Sequence, residues 1–183
     1  MGSARALKSS SILKSWSRNH QVNDSGLIRV PVVAAVKGRA LAGGCGLATA
    51  CDLVLASETA RFGYPEVMIG FVPAMVLAIL RRNVSEKRAF ELITRGEEIS
   101  AGYAKEIGLV NQVFSEETFD DDVKSYLRRF TEVSNTAVAL TKGLLYQVDG
   151  LAFLEALETG ADVNVIARMT DDCQQGIAKF LKK

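Results

Sequence analysis

The stretch from Pro31 to Ala74 constrains this chain more than any other. It opens on Val32-Val33-Ala34-Ala35-Val36, a β-branched and alanine run that is apolar without alternation, the pattern of a strand covered on both faces. Gly38 ends the run. Ala42-Gly43-Gly44 then leads into residues 45–50, which are small and of good helix propensity. A second apolar strand is expected over residues 53–56, directly after that helix. Strand, helix and strand follow one another too closely for a long excursion, so they are expected to pack as one unit.

The junction at the glycines has chemical consequences. A helix start leaves its first N–H groups without intrahelical partners, and the helix dipole is positive there. Glycines at that point remove the side chains that would keep a ligand away. The helix start at these glycines is therefore a candidate socket for an oxygen that carries or develops negative charge. Further along, Glu66 lies in a short apolar segment, between Pro65 and Val67. A carboxylate in partly desolvated surroundings can trade protons near neutral pH. Oxyanion donor and acid/base carboxylate together make the arrangement needed for enolate chemistry next to a carbonyl.

These residues resemble the crotonase superfamily, the enoyl-CoA hydratase/isomerase proteins. The resemblance is carried by Ala35 to Cys45, by Cys51-Asp52, by Ala60 to Gly63, by Pro65-Glu66 and by Gly70 to Pro73. It continues through Leu92 to Gly96 and Ile99 to Val110. It implies an α/β fold: a partial crotonase-like (ββα) superhelix core with a helical C-terminal region. It also implies an acyl-CoA thioester substrate, with CoA part of that substrate and no separate cofactor or metal. Glu66 would be the acid/base and the Gly43 N–H one oxyanion donor, while Ala42, Gly44, Pro65, Val67, Phe71 and Pro73 would contact substrate. Lys142, Lys179, Lys182 and Lys183 would be candidates to meet CoA phosphates. Hydratases of the family carry a second glutamate at the position of Gly46. One carboxylate suffices to shuttle a proton between carbons, so the resemblance leans toward isomerisation without excluding hydration or lyase chemistry. The alternative reading is a non-catalytic acyl-CoA-binding or structural subunit. The family's second oxyanion N–H belongs to an N-terminal portion that here is matched only by the degenerate Ser3-Ala4-Arg5-Ala6-Leu7-Lys8, so the chain is expected to be a short form or fragment.

Three regions are expected: an N-terminal helix and loop over residues 1–29, the core over 30–115, and a helical oligomerisation region over 116–183. At 183 residues the chain is long enough for one sizeable core. A net charge of +1 gives no electrostatic footprint for nucleic acid or an anionic membrane. No apolar run has the roughly 18 residues of a spanning helix. The three cysteines show no metal-ligand spacing with the single His20 and are expected to be reduced. Residues 1–20 hold four basic residues, six serines and no acid. That composition fits either a mitochondrial transit segment or a helix and loop anchored by Leu7, Ile12, Leu13 and Trp16. The cytoplasm is the expected location, with the mitochondrial matrix as the alternative.

Capped helices are expected from Ser85 to Gly96 and from Ser100 to Gly108, followed by a strand over residues 109–114. Ser115 is expected to cap a helix running to Phe130, and three more helices follow, over residues 136–148, 151–169 and 170–181. In the second of these, Leu154, Leu157, Ala161, Val165 and Met169 recur at helical spacing. Helices of this kind are the family's trimer contacts, so a homo-trimer or hexamer is expected.

Overall fold

Two strands and a helix, repeated, build the part of the chain that carries the glycines. The structure, a computed structural model, describes residues 29–181; the expectations for residues 1–28 and for Lys182 and Lys183 lie outside them. The described chain divides into two compact units, Val32–Tyr126 and, by itself, residues 127–181 with 29–31.

In the first unit, β1 (Val33–Val36), β2 (Arg39–Leu41) and α1 (Gly43–Thr49) form one repeat. The next repeat is β3 (Leu53–Ser57), β4 (Arg61–Gly63), a 3-10 turn (Pro65–Ile69) and α2 (Ala74–Leu80). Each strand of the second repeat lies parallel beside its counterpart: Val33 faces Leu53, and Arg39 faces Arg61. Then come α3 (Glu86–Arg95), β5 (Ile99–Ser100), α4 (Ala101–Glu106), β6 (Gln112–Phe114) and α5 (Phe119–Arg128). The strand β6 joins the free side of β3 in parallel, and β5 pairs antiparallel with β4. The result is two three-stranded sheets, ordered β1-β3-β6 and β2-β4-β5.

Side chains explain how the repeats are fastened. Asp52 accepts the Val32 N–H at 2.6 Å and returns its own N–H to the Val32 carbonyl at 2.9 Å. The side chain of Asn111 accepts the Val54 N–H at 2.7 Å while its backbone donates to the Val54 carbonyl at 2.8 Å. Residue 111 thus prolongs the β3–β6 ladder past the end of β6. The core gathers Cys45, Val54, Ala56, Phe62, Tyr64, Leu80, Ala101 and Ala104.

Several expectations are corrected. The strand covered on both faces is β3, not β1: Val54 to Ser57 are buried, whereas Ala35 is exposed and its β1 neighbours are half-buried. The cause is position, since β3 has a partner on each side and β1 is an edge among the described residues. The second strand of each repeat, implied by the ββα resemblance, had no residues assigned to it; it is β2 and β4, which with β5 form the second sheet. Over residues 109–114 only 112–114 form a strand, because the N–H groups of Leu109 and Val110 turn back to the Ala104 carbonyl. The helix after β6 starts at Phe119, with Thr118 as the turn residue whose carbonyl accepts the first N–H groups; Ser115 donates its hydroxyl to Glu58 instead. The helices led by Ser85 and Ser100 are capped as expected. Their hydroxyls accept the N–H groups of Arg88 and Tyr103, and Gly96 and Gly108 close the two segments at positive φ.

The second unit holds α6 (Asn135–Gln147), α7 (Phe153–Arg168) and α8 (Asp171–Phe180), each packed on the other two. Ser134 caps α6 and reaches the Asp172 carboxylate at 2.6 Å, linking α6 to α8. None of the three helices has a fully buried residue. The face of α7 turned inward is the small one, with Ala156, Thr159, Gly160, Val163 and Ala167 half-buried. The larger stripe of Leu154, Leu157, Val165 and Met169 is between 55% and 74% exposed. No helix among the described residues is long and apolar enough to cross a membrane.

Candidate active site

The N–H of Ala42 donates to the Gly63 carbonyl at 2.9 Å, and the Ala42 carbonyl accepts from Gly46 at 2.9 Å. Residue 42 is thus both the last rung of the β2–β4 ladder and the cap of α1. No loop residue separates sheet from helix, so the chain reverses within one residue. That demands φ 49° and ψ −127°, a conformation natural to glycine and costly for alanine. Ala42 is the lone non-glycine at positive φ among the described residues.

Its side chain offers no cap to α1, so the first N–H groups of the helix, at Gly43 and Gly44, have no intrahelical acceptor. Both glycines are exposed, and a Cβ built on either would meet nothing within 4 Å. Neither has a positive φ. Packing and backbone conformation therefore do not account for them; their effect is to leave the N–H groups open from outside.

Gly46 differs. It is buried, and a Cβ there would stand 2.7 Å from Val76 Cγ2. Val76 belongs to α2, so α1 and α2 approach through this glycine. A longer side chain at position 46 has no room while Val76 keeps its place.

Glu66 sits in the first turn of the 3-10 segment that follows Tyr64 and Pro65. The Gly70 N–H returns to the Val67 carbonyl and the Phe71 N–H to the Glu66 carbonyl, each at 3.0 Å, with Gly70 at φ 73°. Val67 and Met68 pack on Gly96 at the end of α3, where a Cβ would meet them at 3.3 and 3.1 Å. The Glu66 side chain is half-buried, and its Oε2 is buried with no hydrogen-bond partner among the described residues. Its charge is felt by two buried neighbours. Burial pushes the Cys45 thiol up to about 11; its polar neighbours Tyr64, Gly63 and Thr49 oppose the shift and Glu66 assists it. Burial also holds the Tyr64 phenol well above its ordinary range, with Cys45 and Glu66 adding to the effect and the Thr49 hydrogen bond opposing it. Both groups are neutral near pH 7.

Ala42, Gly43 and Gly44 thus lie one hydrogen bond from the strand end that leads to Pro65 and Glu66. Pro73 is buried at the start of α2, whereas Phe71 stands 62% exposed. Lys142, on α6, donates to the Val30 carbonyl at 3.1 Å, and Lys179 is on α8. The sequence reading missed Tyr64, Thr49 and Val76 as shapers of this region. The one available signal was a β-branched residue, Val76, shortly after Phe71 and Pro73, which the resemblance marks as substrate contacts. Among the described residues, no three of His, Cys, Asp and Glu gather as a metal site.

Parallel strand pairs repeated turn by turn, each followed by a helix, and a helical C-terminal region define the crotonase-like fold. The enoyl-CoA hydratase/isomerase family profile matches residues 4–183. A Thermus thermophilus protein carrying the provisional name enoyl-CoA hydratase is 42% identical over 153 residues, which is 84% of this chain and 60% of that protein. The 2,3-dehydroadipyl-CoA hydratase of Escherichia coli is 34% identical over 169 residues, 92% of this chain and 64% of its own length. The crystal structure of an enoyl-CoA hydratase from Mycobacterium smegmatis superposes with a TM-score of 0.82 at 32% identity, covering 85% of this chain and 60% of that one. The chain belongs to the enoyl-CoA hydratase/isomerase family, and it spans about 60% of the length of these relatives.

Two stability measurements probe the corner. Ala42→Gly should raise the unfolding free energy by about 1 kcal/mol, because relief of the strained φ outweighs the added freedom of the unfolded chain; urea titration reads this directly. Gly46→Ala should lower stability by about 2 kcal/mol through overpacking on Val76. Adding Val76→Ala to it should recover much of that loss, giving a non-additive cycle in the same titration.

Proposed function

We propose that this chain acts on an acyl-CoA thioester, with Glu66 moving a proton at a carbon conjugated to the thioester carbonyl. The observation that carries the reading is the buried, unpartnered Oε2 of Glu66. A buried acceptor without a partner costs about 1–3 kcal/mol, and such groups persist where chemistry uses them. The open N–H of Gly43 would stabilise the negative charge that develops on the carbonyl oxygen as the proton leaves. The enclosure of Oε2 lowers the local dielectric and strengthens its interaction with the reacting carbon.

One carboxylate favours isomerisation. The same group takes the proton from one carbon and returns it to another, whereas hydration also requires an activated water. The packing of Val76 on Gly46 supports that preference, since it leaves no room for a second carboxylate there. The non-catalytic alternative draws on the same packing.

The assay follows conjugated enoyl thioester absorbance. With a 3-enoyl-CoA the absorbance should rise, and faster than it falls with a 2-enoyl-CoA. Glu66→Gln should slow either change by at least about a hundredfold. A folded chain that binds acyl-CoA yet converts neither thioester would establish the non-catalytic reading.

The exposed stripe on α7 supports assembly of the chain with its own copies, through Leu154, Leu157, Val165 and Met169. Sedimentation should give a trimer or hexamer, and Leu154→Glu with Leu157→Glu should shift it to monomer. A folded wild-type monomer would overturn the assembly.

A further inference from the structure

We propose that Tyr64 is a positioning residue, tying the segment that carries Glu66 to the helix that starts at Gly43 through a hydroxyl bond to Thr49. The inference deepens the reading of Glu66 and Gly43 given above and rests on it for its catalytic consequence.

Tyr64 and Thr49 are fifteen positions apart, and their oxygens meet at 2.7 Å. The direction of the bond follows from proton count. The single Thr49 hydroxyl proton is donated to the Cys45 carbonyl at 2.8 Å, so the shared proton comes from Tyr64. Tyr64, Thr49 and Cys45 are all at least nine-tenths buried, and Tyr64 is among the largest fully buried side chains of the chain. The phenol keeps its proton across the working range of pH, since burial opposes its ionisation. The bond is thus a permanent donor–acceptor contact in a dry place, where it is strong.

Its location gives it a purpose beyond filling space. Hydrogen bonds at both ends of the glycine helix tie it to the Glu66 segment. The Ala42 N–H to the Gly63 carbonyl fixes the near end of α1, and Tyr64 to Thr49 fixes the far end. Without the second bond, packing alone would hold the far end of α1 against the Glu66 segment. With both in place, the Gly43 N–H and the Glu66 backbone sit on two rigid segments locked in register. Pro65 carries that rigidity from Tyr64 to Glu66 by fixing its own φ. A phenylalanine at position 64 would fill the same volume and break the second tie alone.

The experiment compares wild type with Tyr64→Phe, Thr49→Val and the double variant, using the thioester assay and amide hydrogen exchange. In Tyr64→Phe, kcat should fall about tenfold from misplacement of the proton-transfer group, with KM within about twofold, the mark of an interaction that acts on the reaction step. Exchange should quicken over residues 65–70 and stay unchanged in β3. The double variant should be no slower than either single one, because both remove the same bond, and Thr49→Ser should retain wild-type kcat. An unchanged kcat in Tyr64→Phe, or a loss carried by KM, overturns the proposal. A wild-type chain inert toward both thioesters is a failure of the Glu66 reading; unchanged exchange over residues 65–70 is a failure of the tie, and it is read independently of turnover.

Discussion

The backbone of Ala42 holds a sheet and a helix together in a single residue, and the candidate site depends on that junction. Its N–H completes the β2–β4 ladder and its carbonyl begins α1. A linker of even two residues would let α1 settle in any of several directions. Without one, α1 leaves the strand end at a fixed angle, and its inner face lands on Tyr64 and, through Gly46, on α2. The strained φ is the cost of this compactness, and the surrounding ladder and helix bonds over-determine it.

The same corner shows how a polar site is kept inside a mostly apolar unit. Thr49, Tyr64 and Cys45 bury their polar atoms and satisfy them among themselves. Glu66 does not: one of its oxygens is enclosed without a partner among the described residues. Satisfied and unsatisfied groups lie side by side. The satisfied ones give rigidity, and the unsatisfied one retains its capacity to bond something that is not part of the chain. Pro65, Gly70 and the packing of Val67 on Gly96 hold the turn that prevents Glu66 from relaxing outward.

How much of this was legible in the sequence varies with the range of the physics involved. The order of strands, glycines, helix and acidic turn could be read directly, because each is a local signal and several occur in sequence. Helix caps at Ser85 and Ser100 were equally local. The second sheet was not legible: β2 and β4 are three residues long and β5 two, too short to show a period, and they are held by pairing across the repeat rather than by their own pattern. The apolar stripe on α7 was visible but its direction was not, since small residues on the opposite face permit closer helix packing than the leucines do. The contacts of Tyr64 with Thr49 and of Val76 with Gly46 join residues fifteen and thirty apart, and no periodicity announces such a pair.

The contact between Gly46 and Val76 also orders the mutational paths open to this chain. Any side chain at position 46 collides with Val76 until that residue has been trimmed. Trimming Val76 first opens a small void between α1 and α2, and voids in packed interiors lower stability. A chain acquiring a larger residue at position 46 would therefore pass through a less stable intermediate whichever change came first. Two touching residues thereby restrict one another's replacement in this chain through packing alone.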